Sequence, residues 1–468
     1  MTESRNTKDV FLHLKIKSSI IKTDLIRNRK LKLKALEIWI LKNRERIKTA
    51  IYLDFKKPKT EIDTTEIYPV LGEIRLALEN LNRWVKSIKV DATLTYIGTR
   101  SEILFEPKGT CLIISPWNFP FNLAIGPLVS CIAAGNTAIV KPSELTPNTS
   151  LLIKEMVAEL FEDDYVTVVE GNAEVTTELL ALPFDHVFFT GSPQVGKVVM
   201  RAAAENLSSI TLELGGKSPA IIDSTANSKD AAKRIAFGKF FNNGQTCIAP
   251  DYLLVEEGIK DQFIFDLKEA VDKLFGKDKH TSVDYARIVN NKHFTRIKLL
   301  FDEAVENGAK IEYGGEFKSE ENFISPVILS NVSPQSKIME EEIFGPLLPI
   351  ITFKNNSEVV QLINSKPKPL ALYIFSNNKA FRSTVLNQTS AGGVCINECV
   401  MQFTHPNLPF GGVNNSGIGK SHGHAGFLAF SNEKPVLRQK RGFTVSYLLY
   451  PPYTKGMRRI VDLMLKWF

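Results

Sequence analysis

The chain is poor in cysteine, and it lacks an apolar leader sequence. Its 468 residues include five cysteines, too few and too scattered for a disulfide framework. The first fifteen residues are polar and charged, without the apolar core of a secretion signal. These absences argue against a disulfide-stapled secreted protein and predict a cytoplasmic protein in a reducing compartment.

Charged residues are absent between Lys108 and Lys141, but this stretch does not have the pattern of a membrane span. Pro116, Pro120 and Pro127 interrupt it, and its asparagines would carry unsatisfied amides into lipid. A buried series of strand, loop, helix and strand accounts for the pattern better.

Basic charge is concentrated at the two ends of the chain. Residues 1–50 carry 14 Lys and Arg against 5 Asp and Glu, and residues 433–468 carry 8 against 2. The part between them therefore has an acidic excess. A nucleic-acid-binding domain needs a basic face and a reader motif, so we expect no nucleic-acid partner.

Hydrophobic periodicity predicts an α/β protein of two or three domains. Residues 10–50 have helical spacing, and from about residue 103 short apolar runs alternate with helix-length segments in a βαβαβ order. A second α/β series begins near Ser218 and continues to about Asn397. Such alternation indicates parallel sheets with helices on both faces.

The C-terminal part differs in composition from the α/β series. Residues 408–423 are glycine-rich and predict a loop, in which His422 and, just beyond, His424 would be solvated. RGFTVSYLLY, at 441–450, predicts a strand. The final GMRRIVDLMLKWF is a short amphipathic helix that docks on its own protein or a partner subunit, or contacts a membrane surface weakly.

Three residues carry the chemical pattern of a nucleophilic site. Cys247 follows a helix that ends in Asn-Asn-Gly and enters a loop, which makes it a candidate nucleophile or a small buried hydrophobe. Glu213, in an otherwise apolar strand, is either a general base or part of a structural network. Asn118 follows a strand's carboxyl end, where its amide could serve as an oxyanion donor or form a turn.

FFTGSPQVG, at 188–196, has the order strand, glycine turn, helix, and is a moderate dinucleotide signal. The glycine spacing departs from GxGxxG. The Lys-Ser/Thr pair of a P-loop does not follow, which argues against a nucleoside triphosphatase. Cys395 and Cys399 stand four residues apart with no accompanying His/Cys cluster, so we expect no metal site.

Seven motifs together resemble the aldehyde dehydrogenase superfamily, in its order and approximate spacing, between residues 10 and 450. They are SPWNFP, KPSELTP, FTGSPQVG, LELGGKSP, NNGQTC, EEIFGP and LPFGGVNNSG. The sequence around Cys247 and the YPPYT segment are most similar to the class 3 branch, which acts on medium- and long-chain aliphatic or aromatic aldehydes.

The resemblance implies a fold with three parts and a tail. These are a Rossmann-like NAD-binding domain (1–88 and 103–213), an α/β catalytic domain (214–400), a small β bridging and oligomerisation segment (89–102 and 425–450) and the amphipathic tail (451–468). Class 3 relatives are usually dimers that exchange a strand, so the resemblance implies a homodimer, with residues 441–450 as a candidate for that strand.

The resemblance also assigns roles. Cys247 is the nucleophile, Asn118 and the Cys247 backbone N–H hold the oxyanion, and Glu213 activates water to hydrolyse a thioester. The cofactor is NAD, favoured by Glu144, with NADP also accepted. The implied cofactor contacts are Ile114, Trp117, Lys141, Glu144, Gly191, Ser192, Gly196, Leu214, Glu342 and Phe344, although Phe344 could simply be a core residue.

Three alternatives remain open. The first is a thiol esterase that uses Cys247 and Glu213 without redox chemistry, which the KPSE and EEIFGP motifs oppose. The second is a scaffold without activity, which the joint presence of Cys247, Glu213 and Asn118 opposes. The third is a branch that passes the thioester to coenzyme A, whereas Glu213 favours water.

Overall fold

The structure is a computed structural model that describes residues 6–93, 96, 98–442 and 444–467. Helices dominate the first part of the chain, as the periodicity predicts. They are α1 (Thr7–Ile21), α2 (Ile26–Lys42), α3 (Arg44–Phe55), α4 (Lys59–Ile62), a π-helical turn (Asp63–Ile67) and α5 (Tyr68–Trp84). Two strands follow, β1 (Ile88–Val90) and β2 (Thr99–Pro107).

The predicted βαβαβ series forms the first parallel sheet. The elements are β3 (Thr110–Ile114), α6 (Asn122–Ala134), β4 (Thr137–Lys141), α7 (Pro147–Leu160), β5 (Val166–Val168), α8 (Ala173–Leu180), β6 (His186–Gly191), α9 (Pro193–Glu205) and β7 (Ser209–Leu214). The strands lie in the order β7-β6-β3-β4-β5. Every residue of β3 and β4 is buried, which explains their continuous apolar runs. The uncharged stretch is thus strand, loop, helix and strand, as predicted.

The second α/β series forms another sheet. Its strands are β8 (Pro219–Ile222), β9 (Tyr252–Glu256), β10 (Lys310–Tyr313), β13 (Val327–Ser330), β14 (Leu347–Phe353), β15 (Ala371–Phe375) and β16 (Gly393–Ile396); β11 (Phe317–Lys318) and β12 (Phe323–Ile324) pair separately. The strands of the sheet lie in the order β10-β13-β14-β9-β8-β15-β16. Strand β10 is antiparallel to β13, and the other neighbours are parallel. The helices are α10 (Ser228–Phe240), α11 (Lys260–Phe275), α12 (Asn291–Glu306), α13 (Lys337–Glu340), α14 (Asn356–Asn364) and α15 (Lys379–Gln388).

The glycine-rich segment returns the chain to the first sheet. Its short strand β17 (Gly417–Ile418) pairs antiparallel with β7, which places Gly417 opposite Glu213. Next come α16 (Gly423–Ala429), β18 (Ser431–Gln439), a 3-10 helix (Val445–Leu449) and α17 (Lys455–Trp467). In the third sheet, β1 and β18 flank β2.

The predicted strand at 441–450 is wrong, apart from residue 443, which lies outside the described residues. Val445–Leu449 is a 3-10 helix that begins at Thr444, whose side chain accepts a hydrogen bond from the Ser446 N–H at 3.1 Å. The strand of this region is β18, which pairs with β2 along nine residues.

The predicted fold class, two α/β units with a small β segment, is confirmed. Its exact domain boundaries stay a prediction. Within the described residues, no helix combines the length and the apolar character needed to cross a bilayer.

Candidate active site

The loop before Cys247 has an unusual backbone that its sequence explains. Asn242, Asn243 and Gly244 follow α10 with φ values of 50°, 54° and 73°, the left-handed region that asparagine tolerates and glycine favours. A side chain at Gly244 would overlap the carbonyl group of Gly345. The Asn-Asn-Gly sequence therefore lets this loop pass directly against the EEIFGP loop.

Gln245 fixes the loop from inside the protein. Its Nε2 donates to the carbonyl oxygens of Asn242 and Arg287, at 3.0 and 2.9 Å, and its Oε1 accepts from the Val289 N–H at 2.9 Å. The side chain is fully buried, so these bonds are shielded from water. These bonds fix the backbone two residues before Cys247.

Asn118 lies against this loop, as its position after β3 predicts. Its Nδ2 donates to the Gln245 carbonyl at 3.0 Å, and its own carbonyl accepts from Asn242 Nδ2 at 2.9 Å. Because a carboxamide has two N–H donors, one N–H of Asn118 remains for a ligand oxygen. Such an N–H is the kind of donor that an oxyanion site needs.

The thiol of Cys247 is partly exposed and packs against an apolar cluster that includes Phe119, Phe241 and Ile248. Burial raises the pKa of this thiol, and the charges of Glu342 and Glu213 act in the same direction. The backbone N–H groups of Cys247 and Ile248 act against them. At neutral pH the resting thiol is therefore protonated.

Glu213 is buried in β7, next to the glycine-rich loop, and its charge acts on Cys247. Ser421 Oγ donates a short hydrogen bond to Glu213 Oε1. Burial raises the pKa of Glu213, whereas the charge of His422, the Ser421 hydrogen bond and the charge of Lys420 lower it. A carboxyl group with a raised pKa is suited to general-base chemistry.

The expectation that His422 is solvated is wrong. Its side chain is only 14% exposed, and its Nδ1 lies 3.4 Å from Glu73 Oε1 on α5. The glycine-rich segment does form a loop, but this loop folds back onto β7 and α5. His422 is therefore shielded from water. His424, by contrast, is exposed and packs on Trp84, with ring centroids 5.7 Å apart.

Most of the residues predicted to bind the cofactor lie at or just after the carboxyl ends of β3, β4, β6 and β7 in the first sheet. Lys141 Nζ is buried and lies 2.8 Å from the exposed carboxylate of Glu144. Gly196, in the first turns of α9, lies against Leu214, where a β-carbon would be 2.7 Å from its side chain. Ile114 ends β3, Gly191 ends β6, and Ser192 caps α9.

These residues fit a dinucleotide. Helix α9 presents its N-terminus at this edge, and Ser115 Oγ and Thr190 Oγ1 are buried beside it with no hydrogen-bond partner. Glu144 offers a carboxylate suited to ribose hydroxyls. Lys141 holds that carboxylate in place.

Glu342 and Phe344 lie in the loop after α13. The Glu342 carboxyl group occupies the space that a side chain at Gly215 would need. Burial and the charge of Asp251 raise the pKa of Glu342 to about 8. Phe344, at a strained φ of 45°, packs edge-on against Trp117 with centroids 5.4 Å apart. The alternative that Phe344 is only a core residue does not fit its partial exposure.

Sequence reasoning missed the residues that hold this loop. Lys217 Nζ pairs with buried Asp251 and donates to the carbonyl oxygens of Ile338 and Glu341, at 2.8 and 2.9 Å. Arg296 donates to the carbonyl of Glu342 at 3.2 Å. Lys217 stands inside the LELGGKSP motif, which was the available signal, but no local pattern points to Arg296.

His293 is another residue that the sequence did not indicate. Its ring centroid lies 4.9 Å from that of Trp117. Burial, followed by the charges of Arg296 and Lys292, lowers the pKa of His293 to about 4, so this imidazole is neutral. Among the described residues, no three His, Cys, Asp or Glu side chains are grouped as metal ligands.

The model of the aldehyde dehydrogenase family matches residues 19–436. The chain belongs to this family. It is 46% identical to the 4,4'-diaponeurosporen-aldehyde dehydrogenase of Staphylococcus aureus over 438 residues, 94% of each chain. It is 44% identical to aldehyde dehydrogenase family 3 member A2 of Rattus norvegicus, over 92% of this chain and 88% of the relative.

Solved structures agree. The substrate-bound state of Staphylococcus aureus AldH superposes with a TM-score of 0.94 at 44% identity, covering 98% of this chain and 100% of that one. The predicted family, fold class and enzyme class are thereby confirmed, and an aldehyde dehydrogenase uses NAD or NADP, as the motifs predict. The individual site residues stay predictions that the geometry above supports.

Proposed function

We propose that this aldehyde dehydrogenase oxidises medium- or long-chain aliphatic or aromatic aldehydes to carboxylic acids, with Cys247 as the nucleophile and Glu213 as the general base. The observation that carries this proposal is the arrangement around Cys247. Asn118 is hydrogen-bonded to the loop that carries Cys247, the Cys247 backbone N–H belongs to that loop, and the charge of Glu213 acts on the thiol from β7.

The steps follow from these groups. Glu213 accepts the proton of the Cys247 thiol through a water molecule and releases it to solvent, and the thiolate adds to the aldehyde carbon. The resulting oxyanion accepts hydrogen bonds from Asn118 and the Cys247 backbone N–H. When bound, NAD or NADP would supply the hydride acceptor, and the oxidised adduct on Cys247 would be a thioester. Glu213 then takes a proton from water as its oxygen attacks the thioester carbon, which releases the acid and restores the thiol. Each oxyanion donor contributes about 2.7 to 4 kcal/mol in comparable sites.

The cofactor would be held by the residues at the sheet edge. Glu144 would accept hydrogen bonds from ribose hydroxyls, and its carboxylate would repel a 2′-phosphate, which supports a preference for NAD over NADP. The N-terminus of α9, with Gly196 packed on Leu214, would face the pyrophosphate. Glu342 and Phe344 would face the nicotinamide riboside.

The apolar surroundings of Cys247 support the substrate class. Phe119 and Phe241 pack with centroids 6.1 Å apart, and Phe237 stacks on Phe241 at 5.3 Å. The S. aureus relative is itself named for a 4,4'-diaponeurosporen aldehyde. An aromatic wall favours apolar aldehydes over acetaldehyde.

The test follows reduced nicotinamide at 340 nm with acetaldehyde, hexanal, decanal, hexadecanal and benzaldehyde, each with NAD and NADP. We expect the highest kcat/KM with the long-chain or aromatic substrates, and no activity in Cys247→Ala. Equal or better turnover of acetaldehyde would contradict the substrate class, and an active Cys247→Ala would refute the nucleophile.

We also propose a homodimer. Strand β18 lies at the edge of the third sheet and, among the described residues, pairs only with β2. Most of its nine residues are exposed. An exposed, regular edge strand can pair with a second chain. Sedimentation equilibrium should give the mass of two chains; a monomer at micromolar concentration would refute this.

The C-terminal helix supports weak contact with a membrane surface. Leu463 and Leu465 on α17 are 62% and 78% exposed, and the same helix carries Arg458 and Arg459. An amphipathic basic helix binds anionic lipid through both features. Leu463→Glu with Leu465→Glu should abolish sedimentation with phosphatidylglycerol vesicles, whereas Leu207→Glu, at a 92% exposed leucine, should not. Unchanged sedimentation in the double variant, or none in the wild type, would overturn the proposal.

A further inference from the structure

A largely buried ion pair lies close to Glu213, beside the same small cavity. His422 Nδ1 is 3.4 Å from Glu73 Oε1, and the Gly423 N–H donates to Glu73 Oε2 at 2.8 Å. Glu73 comes from α5 and His422 from the glycine-rich loop, about 350 residues later. The neighbouring residue Ser421 donates to Glu213. The pair and the proposed base are thus linked through two consecutive residues.

The backbone at His422 is strained. Its φ and ψ are 69° and 139°, a region that side chains other than glycine rarely occupy. Its ring is held between Phe403 and Phe410, with centroids 4.6 and 5.3 Å away. Such a conformation persists only when its surroundings determine it fully, and strain of this kind concentrates at functional sites.

A small cavity joins the pair to the base. It has room of about 20 Å³, enough for one water molecule. Its polar lining consists of Glu73, Asn122, Ser130, Glu213, Ser421 and His422. A buried water also needs two to four hydrogen-bond partners, and this polar lining provides them.

The charges in this cluster support one another. Burial alone would lower the pKa of His422, but the hydrogen bond and charge of Glu73, together with the charge of Glu213, raise it. Burial acts to raise the pKa of Glu73, but the hydrogen bond from His422 and its charge outweigh this effect. The pKa of Glu73 therefore lies below its usual range. Each member of the pair therefore favours the charged form of the other.

We propose that Glu73 and His422 are positioning residues for Glu213: Glu73 holds His422 cationic, and that cation keeps the Glu213 carboxylate charged and aligned to accept a proton from the hydrolytic water. This inference rests on the proposed role of Glu213. The groups that face Glu213 are His422 and Lys420 from the loop, Glu73 from α5, and Cys247 after α10.

The sign of the effect follows from this arrangement. Glu213 acts as a base only when it is ionised, above its pKa. Without the His422 charge, burial dominates more strongly, so the pKa of Glu213 moves further up. Lys420 stays in place and limits the change. A neighbouring opposite charge moves a carboxyl pKa by about 1 to 3 pH units, so we expect a shift of about one unit.

The test measures deacylation directly. Cys247 is acylated with p-nitrophenyl octanoate, excess ester is removed by rapid gel filtration, and loss of the acyl group is followed by intact mass spectrometry between pH 5.5 and 9. The variant is Glu73→Gln, which keeps the shape of the side chain and removes its charge. The matched control is Glu79→Gln, an exposed carboxylate on the same helix.

In Glu73→Gln, the midpoint of the acid limb should rise by about one pH unit. Deacylation should be slower below the wild-type midpoint, approaching tenfold on the acid side, with little change at pH 9. Glu79→Gln should match the wild type. A Glu73→Gln profile that matches the wild type, or one that is slower by one factor at every pH, would overturn the inference. Glu213→Gln separates the two proposals: if it deacylates normally, the proposed base itself is wrong.

Discussion

Replacing Asn118 by alanine tests the oxyanion site with little disturbance of the loop. The Gln245 carbonyl loses the donor from Asn118 but keeps a second one, since Asn242 Nδ2 lies 3.2 Å from it. The three hydrogen bonds of the Gln245 side chain are also untouched. The position of Cys247 should therefore survive, and only the donor to the reacting oxygen should be lost.

Loss of one such donor costs about 2.7 to 4 kcal/mol of transition-state stabilisation, which corresponds to roughly 10²- to 10³-fold in kcat. The assay compares NADH formation from decanal in Asn118→Ala and the wild type. Alkylation of Cys247 by iodoacetamide serves as the control and should change less than twofold. A loss below about tenfold with normal alkylation would refute the oxyanion role. A parallel loss of both would show that Asn118 only supports the loop.

Three further predictions address the charges of the site. Because burial raises the pKa of Glu213 and only the ionised form is a base, kcat should fall as the pH drops through that raised pKa; a rate that stays flat to pH 5 would contradict this. Glu144→Gln removes the repulsion of a 2′-phosphate and should raise the NADP/NAD ratio of kcat/KM about tenfold or more, whereas Glu155→Gln should not. Lys217→Met leaves Asp251 charged and unpaired in the interior and should cost about 3 to 5 kcal/mol in urea unfolding. Adding Asp251→Asn should restore part of that loss, and equal stability of the single variant and the wild type would refute the role of the pair.

The sequence predicted those elements whose structure depends on residues close together in the chain. The continuous apolar runs predicted β3 and β4, and Asn-Asn-Gly predicted the turn that delivers Cys247. These features depend on residues within one turn or one strand. The same reasoning failed at 441–450, where an apolar run without regular alternation is compatible with both strand and helix, and the cap at Thr444 decides for the helix.

The other errors concern residues that meet only in the folded chain. Glu73 and His422 are separated by about 350 residues, and neither belongs to a motif that marks it as charged and buried. Arg296 reaches the EEIFGP loop from α12 in the same way. A glycine-rich composition predicted that His422 is solvated, because composition describes a loop but not the surface onto which it folds.

The protonated resting state of Cys247 also affects how the enzyme withstands oxidants. Hydrogen peroxide reacts with thiolates, and a neutral thiol reaches the sulfenic acid slowly. Since burial and two carboxylates disfavour the thiolate here, the resting cysteine should resist peroxide better than the low-pKa thiol of a redox sensor. The proposed nucleophile would then stay reduced between turnovers when peroxide is present.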